Sequence, residues 1–288
     1  MSVYVCVSDV DLLKEHYAAC EGWLSSLVAQ YDRTGVKNFY NEYGDWVPPH
    51  AYPKCDTTYT AVYGFMHNMA YFVNISRVVG NADNVAKYSA LYTQVGKEMH
   101  STWFHADTNL YAGGGQGCNV MALSLDGMVP AELRPKVFAT LVADIAAAKM
   151  HLTTGILSTA QLFGVLSAGG QHDLALRIAT QTTYPSYGYM FNNLHENATT
   201  LWELWYAPDA GIGMNSRNHI MSARKAHTHT HRIDMPFKNM ALISLFSLSA
   251  LILSGSAASA AGSGASLLAS SWTARTTAPS AWSRASRW

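Results

Sequence analysis

The strongest constraint in this sequence is a recurring 3.6-residue apolar rhythm without any convincing two-residue alternation. Between residues 9 and 31, apolar or aromatic side chains fall at Leu12, Leu13, His16/Tyr17, Cys20, Trp23/Leu24, Leu27 and Val28. Residues three and four apart share one face of an α-helix, so this spacing predicts a helix that buries one stripe. Residues 57–79 and 82–104 repeat the pattern, and Gly80 between them is a natural stop. Further helices are expected over 119–126, 130–149, 158–168 and 172–182, with Pro130 near the start of the second. The stretch Y-G-D-W-V-P-P at 43–49 and the glycines of 112–117 interrupt the pattern. No period-2 run is found through residue 220. The expected fold is therefore all-α, a set of helical hairpins with long loops between them.

Composition divides the chain. Over the whole sequence 19 Lys/Arg balance 19 Asp/Glu, so there is no basic field for nucleic acid. Beyond residue 222 the balance fails, with seven Lys/Arg against a single acid, Asp234. Two regions follow: 1–222, a folded helical domain, and 223–288, a low-complexity Ala/Ser/Arg-rich tail. The tail reads as non-native coding, such as a shifted frame. Its apolar run at 240–253 is shorter than the roughly 20 residues a membrane helix needs. The alternating His227, His229 and His231 read as accidental tail composition rather than a metal site, and no cofactor is implied. Cys6, Cys20, Cys55 and Cys118 form no C-x-x-C pair and read as buried thiols. The first seven residues lack the basic start of a signal peptide. Asn74 and Asn197 head glycosylation sequons, which are common by chance.

The chemistry concentrates in residues 151–219. Four motifs stand there: H-L-T-T-G-I-L-S-T at 151–159, T-Y-P-S-Y-G-Y-M at 183–190, A-T-T-L-W-E-L-W at 198–205 and N-S-R-N-H at 215–219. Upstream lies Asp45-Trp46. By itself, Thr200-Leu-Trp-Glu203 fits a helix capping box, in which Glu203 would bond back to the backbone of Thr200. A lone Asp beside a Trp fits a turn next to a core indole.

In this order and spacing the motifs resemble the catalytic domain of bacterial and fungal α-L-rhamnosidases, over about residues 24–221. The resemblance implies a partial (α/α)6 toroid and inverting hydrolysis of terminal α-L-rhamnosides. Inversion needs one carboxyl group to protonate the leaving oxygen and another to deprotonate the attacking water. Glu203 matches the family's general base. Asp45 and Trp46 match a loop that lines the sugar subsite, where a carboxylate accepts from hydroxyls and an indole stacks on the ring. Trp202 and Trp205 would form an apolar wall. His219 matches a cleft histidine, and Tyr187 stands where the family more often has Trp. Tyr189 is a weaker match, and His151 and Thr154 would organise the cleft floor or serve structure alone.

The family's acidic motif, ending in W-x-G-D, has no counterpart in the sequence. The expected chain is thus a truncated piece with a base and no general acid, poorly active alone. Two other readings stay open. One is a non-catalytic carbohydrate-binding remnant; the other is an α/α-toroid glycosidase of different specificity. A third reading is a C-terminally membrane-anchored protein, resting on 240–253. The partner in each sugar reading is a rhamnoside or other small carbohydrate.

Overall fold

The structure, a computed structural model, describes residues 9–39, 43–49, 55–209 and 215–218. Among these the chain runs through α1 (Val10–Thr34), α2 (Thr57–Val79), α3 (Ala82–Trp103), β1 (Phe104–His105), β2 (Leu110–Tyr111), α4 (Gln116–Ser124), α5 (Arg134–Ala147), α6 (Ile156–Ala168), α7 (His172–Ala179) and α8 (Tyr187–Phe191). The all-α expectation holds.

Local chemistry sets the helix starts. Asp9 accepts from the Leu12 amide at 3.0 Å, Asp56 from Tyr59 at 2.8 Å and Asn81 from Asn84 at 3.0 Å. Each such cap satisfies an amide that the helix leaves orphaned, worth about 1 kcal/mol. Gly80 adopts φ 84°, a left-handed turn that ends α2 one residue before Asn81 caps α3. The pair Gly80-Asn81 therefore folds α2 and α3 into a tight antiparallel hairpin.

The hairpins form a two-layered wall. In α4 every residue from Gln116 to Leu123 is buried, and α2 is buried on most sides from Tyr59 to Met66. A helix apolar all round belongs inside. By contrast α1, α3, α5 and α7 each bury one stripe, such as Leu13, Cys20, Leu24, Leu27 and Tyr31 on α1. Helices α2, α4 and α6 are the inner layer: α2 packs on α1, α3 and α4, α4 on α5 and α6, and α6 on α7. This is part of an (α/α)6 toroid.

Three expectations change. Pro130 does not open α5: its carbonyl accepts from Leu133 and Arg134 in a turn, and Pro135 takes the helix's first turn instead. A two-stranded hairpin pairs Phe104 with Tyr111 and His105 with Leu110, too short to give a readable alternation. Cys55 and Cys118 are joined in a disulfide, with Cα atoms 5.6 Å apart, and are not free thiols. They pair because Cys55 precedes α2 and Cys118 lies in the first turn of α4, so adjacent inner helices bring them together. Cys20 is free and buried, and burial pushes its thiol pKa up to about 11. Among the described residues no helix is long and apolar enough to cross a membrane. Cys6, the 240–253 run and the three alternating histidines lie outside the described residues.

Candidate active site at the rim of the inner helices

The inner helices present their N-termini at one end of the wall. The loop carrying Asp45 and Trp46 lies across all three. A Cβ on Gly44 would stand 3.2 Å from Thr57 of α2, and one on Gly117 of α4 would stand 2.8 Å from Asp45 Oδ2. At α6 the contact is direct. Asp45 Oδ2 accepts from the Gly155 amide at 2.8 Å and from the Ser158 hydroxyl. Asp45 Oδ1 accepts from the amides of Leu157 at 3.1 Å and Ser158 at 3.2 Å.

This geometry gives Asp45 a structural role that its sequence context does not specify. Its residue is 3% exposed and both oxygens are taken up by the first turn of α6. A carboxylate at a helix N-terminus satisfies orphan amides and meets the positive end of the helix dipole. Asp45 thus fixes the loop to the start of α6. Gly155 completes the docking: a Cβ there would lie 2.6 Å from the backbone oxygens of Asp45 and Trp46, so only glycine allows the approach. The Ile156 amide donates to Trp46 O at 2.8 Å. Val47 follows at φ 50°, a strained conformation for a β-branched residue that these contacts hold in place.

Trp46, held in this way, reaches Glu203. The indole Nε1–H donates to Glu203 Oε1 at 3.2 Å, joining segments 157 residues apart. Glu203 is 8% exposed. Its Oε2 accepts from the Ser216 amide at 3.0 Å, while its own amide donates to Ser216 O at 2.9 Å. The capping box does not form, because residues 200–205 make no helix. Thr200 Oγ1 donates instead to the carbonyl of Arg217. A carboxylate has about four lone-pair sites, so two donors leave capacity to accept from water.

The tryptophans that flank Glu203 are both buried. Trp202 and Trp205 are 1% and 3% exposed and belong to the hydrophobic core. The Arg217 guanidinium lies over the Trp202 ring, 5.5 Å from its centroid, and Tyr187 leans on Trp205. Their part in the site is to anchor the backbone on either side of Glu203. Trp46 is the more accessible indole. Tyr187 is half-buried and its ring leans on Trp205, centroids 5.3 Å apart. Its hydroxyl is buried without a hydrogen-bond partner, and burial pushes its pKa up. Tyr189 packs edge-on against Tyr184. His151 bonds Thr183 through Nε2 at 2.8 Å, and Thr154 bonds Thr159 at 2.6 Å, so both brace the approach to α6. His219 lies outside the described residues.

Four residues of this site escaped the sequence reading. Ser158 and Gly155 receive Asp45, Ser216 holds Glu203, and Arg217 pairs with Glu196. Arg217 Nε donates to Glu196 Oε1 at 2.6 Å and Nη2 to Oε2 at 3.0 Å. The hydrogen bond from Arg217 holds the Glu196 carboxyl below its usual range. Gly155 and Ser158 fall in the motif at 151–159 and Ser216 and Arg217 in the N-S-R motif, and nothing in either specified a partner. Among the described residues no group of three or more His, Cys, Asp or Glu side chains gathers to hold a metal.

Comparison with known proteins bears on this arrangement. The family described as bacterial alpha-L-rhamnosidase 6 hairpin glycosidase domain matches residues 1–228. An α-L-rhamnosidase of Streptomyces avermitilis is 31% identical over 223 residues, covering 76% of this chain and 21% of its own length. One from Formosa agariphila is 31% identical over 232 residues, covering 75% of this chain and 24% of its own. The structure of the Streptomyces avermitilis enzyme complexed with L-rhamnose superposes with a TM-score of 0.68 at 30% identity, over 77% of this chain and 21% of that one. The Dictyoglomus thermophilum α-L-rhamnosidase gives a TM-score of 0.66 at 30% identity, over 76% and 24%. The chain therefore spans about a fifth to a quarter of the length of these relatives.

Proposed function

The chain belongs to the bacterial α-L-rhamnosidase six-hairpin glycosidase family, and from that premise we propose that its rim serves hydrolysis of terminal α-L-rhamnosides with inversion. Glu203 is the general base, taking a proton from the attacking water. Trp46 offers its ring to the apolar face of the sugar while its N–H orients the base. His219 and Tyr187 complete the sugar contacts. Asp45 serves through Trp46, by pinning the loop.

The single observation that carries this reading is the hydrogen bond from Trp46 Nε1 to Glu203 Oε1. Two motifs distant in sequence meet at a carboxylate, which a capping box or a solvated glutamate would not require. The reading is supported by Glu203 lying outside any helix and bonding the loop that Asp45 docks on α6. What further supports a rhamnoside as substrate is the likeness to a relative solved with L-rhamnose.

The acidic motif of the family is not in this sequence. General acid assistance is worth about 10²–10⁴-fold, so the polypeptide by itself hydrolyses poorly. In this reading residues 1–222 are the glycosidase domain and 223–288 a low-complexity tail. Calorimetry with L-rhamnose and release of p-nitrophenol from its aryl rhamnoside test the proposal together. The expected result is weak binding that Trp46→Ala abolishes, with almost no turnover. Absence of any binding would remove the sugar site, and brisk turnover lost in Glu203→Gln would show that the acid is present after all.

A further inference from the structure

We propose that Arg217, clamped by Glu196, is the positioning residue of Glu203; this rests on reading Glu203 as the base. Glu203 lies in a segment with neither helix nor sheet to fix it. Its backbone amide and one carboxylate oxygen are both tied to Ser216, so the placement of Ser216 decides the placement of the carboxylate. Ser216 itself stands in an equally irregular stretch.

Arg217 supplies the order that stretch lacks. Its guanidinium binds Glu196 through two parallel bonds, and Nη2 also donates to Ala207 O at 3.0 Å. The same group lies over the Trp202 ring, 5.5 Å from its centroid. Its carbonyl accepts from Thr200 Oγ1. One side chain thus touches the chain before Glu203, beside it and after it. Next to it, Asn215 Nδ2 donates to the same Ala207 oxygen at 2.8 Å. Glu196 is in turn held from behind, its amide donating to Asn193 Oδ1 at 3.2 Å.

The pair is partly open to solvent, with side chains 37% and 42% exposed. An ion pair in that setting is screened and adds little to overall stability. Its geometry is nonetheless demanding: a planar fork accepts a carboxylate in one orientation only, which a lysine ammonium does not impose. Directional restraint with little stabilisation is the signature of positioning.

The test reads the indole N–H of Trp46 by ¹H–¹⁵N NMR on the full chain, with no sugar present, the signal being assigned with Trp46→Phe. Glu203→Ala removes its acceptor and sets the reference shift. Losing a hydrogen bond to a charged group should also speed exchange of that proton about tenfold. Arg217→Gln and Glu196→Gln are each expected to move the signal the same way, with melting temperature near the parent's. Arg217→Lys should recover only part of the shift. An indole signal that stays put in Arg217→Gln overturns the proposal. So does full recovery with lysine, or a loss of melting temperature as large as that of a core substitution. L-Rhamnose calorimetry on the parent chain reports separately on the function, so failure there leaves the indole result to decide the positioning role.

Discussion

The wall of hairpins and the rim above it are held together by different physics. In the wall, Phe65 is wholly buried and stands between Tyr31 and Phe39, with ring centroids 5.9 and 5.2 Å away. Contacts of this kind are non-directional and numerous, so neighbours share the load. The rim at Asp45, Trp46, Glu203 and Ser216 has little regular structure. It depends on a few directional hydrogen bonds that converge on Asp45 and Glu203. The contrast teaches that damage should spread in the wall and stay local in the rim.

The largest expected effect comes from the wall. Phe65→Ala should cost about 3–5 kcal/mol in chemical denaturation and lower every probe of folding together. A change confined to the Tyr31 end would break the idea of a shared core. Asp45→Ala comes next, because it leaves buried amides of α6 without acceptors, and should cost about 2–3 kcal/mol. Here Trp46 fluorescence should change before the helices melt; one coincident transition would place the loop in the wall. Gly155→Ala forces a Cβ against two backbone oxygens and should cost about 1–3 kcal/mol, again with the Trp46 signal altered first.

The smallest effects separate the two regions by pH. Burial lowers the ring pKa of His100 from its ordinary 6.5, although Glu132 pulls the other way. The fold favours the neutral ring, so its contribution is complete above 6.5 and declines as pH falls through and below that value. Glu196 behaves oppositely in placement: its carboxyl is held below the ordinary 4.5, so its contribution persists above that value and is lost only as pH falls through the lower one. Acidification should thus loosen the wall slightly near His100 while the rim keeps its order. Thermal melts of His100→Gln across pH 4–7, beside the Trp46 indole signal, check the sequence of events; a rim that loosens first would reverse it.

The sequence made the wall readable and left much of the rim hidden. Helix α2 falls at the expected 57–79 because Asp56 and Gly80 act within a few residues of the ends they define. Helix α3 follows for the same reason, ending one residue early. The meeting of Asp45-Trp46 with Glu203 was expected from motif resemblance, but the work of Asp45 was not. Its donors lie 110 to 113 residues away, beyond anything local spacing encodes. The same holds for the capping box. Thr200 and Glu203 have the right chemistry for a cap, yet both find better partners near residue 216. Cys55 and Cys118 are 63 residues apart, and nothing in that separation announces a bond.

One consequence follows from the docking of that loop. The loop at 45–46 rests on the start of α6 and reaches Glu203, so a change in one of these segments has to be accommodated by the others. The positions least free to change should be glycines such as Gly155, where a loop rests its backbone directly on the architecture beneath.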